Sequence, residues 1–145
     1  MFTLRPATAD DAEAIRWLVH VGQINPTGLD WRRFMVAVSP AGEVIGCGQV
    51  KPHRDGSREI ASLVVHPDWR GQGVARALIE HLLAENPGDL YLMCRSVLGP
   101  FYEKFGFHVV QPADMPKYFQ RISRLAGVLD RLRSEGVSLL VMKRS

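Results

Sequence analysis

Residues 66–75 read HPDWRGQGVA. Gly71 and Gly73 stand one residue apart behind Arg70, and an amphipathic helical pattern starts directly after them. A helix N-terminus carries N–H groups with no partner inside the helix and a partial positive charge, so it attracts anions. The glycines let the backbone close on such an anion and take positive φ where the turn demands it. Arg70 adds charge at the rim, and Arg76 adds more from the first helical turn. The chemistry this spacing allows is the cradling of a phosphate. A P-loop is excluded, because no Lys-Ser or Lys-Thr pair follows the glycines. A dinucleotide fingerprint is excluded too: Arg76 stands where a third small residue belongs, and a hairpin rather than the first βαβ unit precedes the loop. The loop alone leaves one plain alternative open, a strand-to-helix turn whose glycines only pack.

The elements that must hold this loop follow from hydrophobic period. Residues 2–6 read as a first strand, and Thr8 with Asp11 as a capping box opening a helix whose apolar face is Ile15, Leu18 and Val19. Residues 21–33 have no clean period and contain Pro26 and Gly28, which predicts an irregular connection with one helical turn. FMVAVS (34–39), a turn at 40–42 and EVIGCGQVKPH (43–53) predict a hairpin, and REIASLVVH (58–66) a third strand of the meander. Its run Leu63-Val64-Val65 fits a strand covered on both faces. Behind the loop, Ala75, Leu78, Ile79, Leu82 and Leu83 recur at helical spacing until Asn86-Pro87-Gly88. A strand at 89–95, a short helix at 98–105 and a strand at 107–110 follow. Residues 116–136 predict a long helix with Tyr118, Ile122, Leu125, Leu129 and Leu132 on one stripe, and 137–144 a last strand. Arg121, Arg124, Arg131 and Arg133 fall on that helix's polar side, as a solvated face or a partner surface. Hairpins first and crossovers afterwards predict an α/β (α+β) fold, a mixed sheet with helices on its faces.

Composition sets the class. The chain has 145 residues, 46% apolar and 23% charged, which suits one ordinary globular domain over 1–145. No apolar run is long enough to span a membrane, and the N-terminus lacks the pattern of a signal peptide. Cys47 and Cys94 lie in apolar strand-like runs, so two buried free thiols and a reducing cytoplasm are expected. The net charge of +3 suits an anionic ligand without demanding nucleic acid. A basic nucleic-acid-binding protein is disfavoured, since there is neither a dense basic run nor an aromatic stacking platform. His20, His53, His66, His81 and His108 have no ligand spacing and neither cysteine has a C-x-x-C partner, so no metal is expected.

Read as Arg-x-x-Gly-x-Ala (Arg70, Gly73, Ala75), the loop resembles the Arg/Gln-x-x-Gly-x-Gly/Ala signature of the GNAT superfamily of N-acetyltransferases. The wider string LVVHPDWRGQGVARALIEHLL resembles that region throughout. Downstream, PFYEKFGFHVV resembles the family's Leu/Phe-Tyr-Glu-Lys-x-Gly-Phe segment, and LRPATADDAEAI is a typical opening. The resemblance covers nearly the whole chain and its order of elements. It implies a sheet of about seven strands, splayed between strands four and five, and acetyl-CoA as the acyl donor.

Carried over residue by residue, the resemblance implies that Gln72, Gly73, Val74 and Ala75 offer N–H groups to the CoA pyrophosphate, with Arg70 and Gly71 at its rim. Leu63, Val64 and Val65 would hold the pantetheine arm by their backbone, and the Val65 N–H would face the oxyanion. Acyl transfer needs a neutral amine, an oxyanion donor and a proton for the departing thiolate. Tyr102 matches the tyrosine that often protonates the CoA sulfur, against a packing role in the aromatic FYEKFGF segment. Glu59 is the candidate base, against a solvated edge carboxylate; His66 is a weaker alternative. Arg95 stands where many members carry asparagine, and Pro100 is unusual before the Phe-Tyr pair. The amine acceptor, a small amine, an amino acid or a protein amine, should meet the strand 6–7 region and residues 21–35, which hold Asn25, Trp31, Arg32 and Arg33, with Trp31, Arg32 and Arg95 as candidate contacts against a reading of the loop arginines as exposed charges. A CoA-binding regulator without catalysis is the competing reading, and dimers are common in the family.

Overall fold

A computed structural model describes residues 1–132 and 138–145, with side chains excluded at 128–132. The strands are β1 (Thr3–Pro6), β2 (Phe34–Val38), β3 (Val44–Pro52), β4 (Arg58–Val65), β5 (Leu90–Arg95), β6 (His108–Val109) and β7 (Leu139–Arg144). The helices are α1 (Ala12–Val21), α2 (Val74–Glu85), α3 (Gly99–Glu103) and α4 (Lys117–Leu132). The sheet order is β1-β2-β3-β4-β5-β7-β6. The β4–β5 pair is parallel and splayed, with Glu59 registered against Tyr91, while β1–β2, β2–β3, β5–β7 and β6–β7 are antiparallel. This is the mixed, helix-flanked sheet expected from the period of the sequence. The irregular stretch 21–33 carries its single helical turn at Trp31–Arg33.

The chain divides into two compact units, Met1–Lys51 with Ile60–Pro87, and Pro52–Glu59 with Gly88–Ser145. In the first, Ile15, Leu18 and Val19 of α1 pack with Phe34, Val36, Cys47 and Val64 into one core. Asp11 ties the entry to α1: it accepts two hydrogen bonds from Arg5, at 2.7 and 3.0 Å, and one from the Thr8 N–H at 2.7 Å. On the other side α2 buries Val74, Leu78, Ile79 and Leu82. Gly46 of β3 makes that approach possible, because a Cβ there would stand 2.9 Å from Val74 and 3.2 Å from Leu78.

In the second unit Tyr91, Val110, Met115, Phe119 and Val141 form the core. The α4 stripe differs from the sequence expectation. Phe119 is fully buried while Leu125 is 62% exposed. Tyr118 and Ile122 are half-buried as expected, but Phe119, whose ring stacks on Tyr91, takes the inward place with half-buried Ala126, and Leu125 does not. Arg121 and Arg124 are exposed as expected; the side chains of Leu129, Arg131 and Leu132, and Arg133 as a whole, lie outside the described residues. Cys47 and Cys94 are buried free thiols.

Candidate active site

The first unit presents the phosphate cradle. β4 ends at Val65, and the His66 N–H donates to Ile45 O at 2.7 Å. Its ring Nδ1 accepts from the Asp68 N–H at 3.0 Å and starts a 3-10 turn over Pro67–Trp69, while Trp17 stacks on the imidazole. This leaves His66 a structural job at the turn. Gly71 and Gly73 have φ of 79° and 83°, the region other residues avoid, and a Cβ on either would meet nothing within 4 Å. The glycines therefore serve the turn's conformation and leave open space beside it; they are not there to pack. Gly73 caps α2 with no side chain bonded to the helix start. The N–H groups of Val74 and Ala75 have no acceptor inside the helix by its geometry. Arg70, Gln72 and Arg76 are exposed around this end, Ala75 is half-buried and Val74 is buried. In β4, Val64 is buried and Leu63 and Val65 are half-buried.

β4 is distorted, though not broken, just before that run. Ser62 has φ of 56°, strained for a residue with a side chain. Its distortion is held from β3. The Cys47 thiol donates to Ser62 O at 3.4 Å, and Gln49 Nε2 donates to Ser62 Oγ at 2.9 Å and to Gly28 O at 3.1 Å. Gln49 is fully buried. Sequence reading passed over it; the signal was there, an amide among the glycines and apolar residues of GCGQV.

The second unit carries the titratable groups. Tyr102 lies on α3, edge-on to Phe101 and to Phe107. Burial, then the nearby Cys94, pushes its phenol up to about 12, so it keeps its proton at neutral pH. Phe101 and Phe105 pack edge to face, as expected. Glu59 is 5% exposed, not the solvated edge carboxylate that competed with a catalytic role. His53 Nε2 stands 2.8 Å from Glu59 Oε1, and both side chains are almost fully buried. Tyr118 stacks on the His53 ring with 3.6 Å between centres, and Phe119 meets it edge-on. His53 was visible in the sequence only as a histidine without metal spacing.

Residues 30–109, more than half of the chain, match the family model described as an acetyltransferase (GNAT) domain. The chain belongs to the GNAT acetyltransferase family. The serotonin N-acetyltransferase of Mesocricetus auratus is 42% identical over 67 residues, which cover 41% of this chain and 32% of that protein. The chain thus matches about a third of that curated relative's length. Among solved structures, N-acetylglutamate synthase from Neisseria gonorrhoeae, complexed with coenzyme A and N-acetyl-glutamate, superposes with a TM-score of 0.78 at 18% identity, over 99% of this chain and 35% of that one. Rv2747 from Mycobacterium tuberculosis, in complex with CoA, gives 0.71 at 23% identity over 96% and 97%. These similarities show that the GNAT fold is shared.

Trp31 packs against the first core, and Arg32 lies 4.8 Å over its ring while bonding Asp30 at 3.2 Å. Arg95 is exposed at the end of β5. A cleft of about 330 Å³ lined by Pro112, Ala113, Gln120, Ser123 and Arg124 contains none of the expected site residues. Among the described residues there is no group able to hold a metal ion, and no helix long and apolar enough to cross a membrane.

Proposed function

We propose that this chain is an N-acetyltransferase that moves an acetyl group from acetyl-CoA to a primary amine by direct attack. The observation that carries the reading is the uncapped start of α2 behind Gly73, at φ 83° with open space beside it, inside a GNAT domain. Val74 and Ala75 would hold the pyrophosphate by backbone N–H groups, with Arg70 and Arg76 supplying charge. Leu63, Val64 and Val65 would bind the pantetheine arm, and the Val65 N–H would meet the carbonyl oxygen as it gains charge.

The residues then divide the protons. A carboxylate oxygen of Glu59 takes the proton of the acceptor nitrogen. The N–C bond forms as the C–S bond breaks, and the Tyr102 phenol gives its proton to the sulfur. A phenol held protonated by burial suits that role. No covalent enzyme intermediate is needed, so a nucleophilic triad is not required.

The acceptor class is a small amine, an amino acid or a protein amine. The relative acting on serotonin and the neighbour holding N-acetyl-glutamate support acceptors of the first two kinds. Arg32 is already engaged by Asp30 and Trp31, so Arg95 is the better candidate to meet an acceptor carboxylate. Two buried thiols suit a reducing, cytoplasmic setting. The test is titration calorimetry with acetyl-CoA, followed by thiol release measured against amino acids, arylalkylamines, polyamines and peptides. Binding with release on one class supports the reading; failure to bind acetyl-CoA overturns it.

A further inference from the structure

We propose that His53 is a positioning residue for the base, its Nε2–H holding the Glu59 carboxylate ionised and fixed in direction. The inference rests on the reading of Glu59 as base. It adds a second residue, a source for the base's charge state and a role for α4.

The argument begins with burial. Glu59 is 5% exposed, in a strand, beside a second core built of Tyr91, Phe119, Val141 and their neighbours. A carboxylate taken out of water favours its neutral form, and a neutral carboxyl cannot accept the amine's proton. A donor aimed at the ionised form reverses that preference. His53 Nε2 stands 2.8 Å from Glu59 Oε1, in place to be that donor. The two residues meet because β3 and β4 are joined by the tight turn Arg54–Ser57, closed by the His53 N–H to Ser57 O at 2.9 Å.

The histidine is itself fixed from outside. Tyr118 of α4 covers its face at 3.6 Å and Phe119 its edge. Asp55, in the turn, accepts the Tyr118 N–H at 3.0 Å and so pins the start of α4 over the ring. The ionisable groups around the pair come from each neighbouring element. The turn brings Asp55, α4 brings Tyr118 with Arg121 beyond it, β5 brings Tyr91 opposite Glu59, and β7 brings Lys143, 5.8 Å over the Tyr91 ring. Arg58, next to Glu59, turns to Asp89 O at 3.3 Å. The imidazole therefore stands as a held donor at the carboxylate. Glu59 stays the group that takes the proton: the acceptor's N–H bond breaks, an O–H bond forms on Glu59, and His53 keeps its own Nε2–H.

The experiment is the pH profile of kcat/KM for acetyl-CoA-dependent thiol release in three variants of the full chain. His53→Phe keeps a ring against Tyr118 and removes the donor. His53→Gln keeps an N–H donor and removes the imidazole. Glu59→Gln removes the base. We expect the acid limb of His53→Phe to move up by a pH unit or more, a tenfold or larger loss on the sloping part of the limb that recovers at higher pH. His53→Gln should keep its limb within half a unit of the wild type. An unshifted limb in His53→Phe, with Glu59→Gln inactive, overturns the role of His53 and leaves the base standing. Full activity and an unshifted limb in Glu59→Gln overturns the base itself. Should His53→Phe not fold, the imidazole ¹⁵N spectrum of the wild-type protein decides. A proton on Nε2 throughout the active pH range supports the proposal, and an Nε2 without one overturns it.

Discussion

The phenol ring of Tyr118 lies 3.6 Å, centre to centre, over the imidazole of His53, nearly parallel at 18°. It joins the first turn of α4 to the β3–β4 turn, and Asp55 ties the same backbone with a 3.0 Å hydrogen bond. The Ser57 hydroxyl, foremost, and the N–H groups of Tyr118 and Ser57 hold the Asp55 carboxyl at about 2. Tyr118→Ala should therefore cost roughly 2 kcal/mol of stability, the stack together with the half-buried ring. Tyr118→Phe keeps the stack and should stay within about 0.5 kcal/mol of the wild type. Urea denaturation at neutral pH measures both.

At the cradle, substitution separates conformation from charge. A Cβ at Gly73 meets no neighbour, so Gly73→Ala bears only the cost of positive φ, about 1–2 kcal/mol. Gly73→Asp adds a negative charge at the start of α2, where the pyrophosphate is expected. The alanine variant should fold and bind acetyl-CoA weakly, and the aspartate variant should fold and show no heat of binding. Calorimetry beside thermal melting distinguishes lost affinity from lost fold. Full affinity in the aspartate variant would remove the pyrophosphate from this loop.

Tyr102→Phe keeps the ring that meets Phe101 and Phe107 and removes only the proton donor. Turnover should fall by about a hundredfold or more, the usual worth of a positioned acid, while acetyl-CoA affinity and melting temperature hardly move. Burial pushes the phenol up to about 12, so it stays protonated through neutral pH and sets no basic limb there. A limb seen at lower pH that persists in the phenylalanine variant belongs to another group. Unchanged turnover excludes Tyr102 as the acid.

The cradle was legible because its chemistry restricts residue type. Only glycine takes φ of 83° without strain, so a required conformation leaves a mark in the letters. The strand and helix periods were legible for a similar reason, since a buried face selects apolar side chains at fixed spacing. The His53–Glu59 pair left no such mark. Five residues separate the two, and their meeting depends on how the turn at 54–57 sets the register of β3 on β4. Leu125 shows the same limit from the other side. Its spacing fits the apolar stripe, yet the stacking of Phe119 on Tyr91 fixes the rotation of α4 and leaves Leu125 exposed. Gln49 is the intermediate case, an amide in an apolar strand whose purpose appears only when Ser62 is seen in left-handed backbone.

The paired Arg5 and Asp11 should make the first unit sensitive to acid. Asp11 is 6% exposed and accepts from both ends of the guanidinium as well as from the Thr8 N–H. The Arg5 hydrogen bond, foremost, holds its carboxyl below the ordinary aspartate range despite the opposing effect of burial. A carboxyl depressed in the folded state stabilises the fold above its unfolded value, near 4, and loses that contribution as pH falls through its folded value. Arg5 is 42% exposed, so solvent screens the pair and the gain is about 1 kcal/mol at most. Asp11→Asn removes the charge yet keeps an oxygen for the Thr8 N–H. It should lower the melting temperature at pH 7 by a few degrees, and the gap between the two proteins should narrow as pH falls below about 4. Thermal melts from pH 3 to pH 7 check this; a difference that stays constant over that range means the loss comes from packing rather than from the ionised pair.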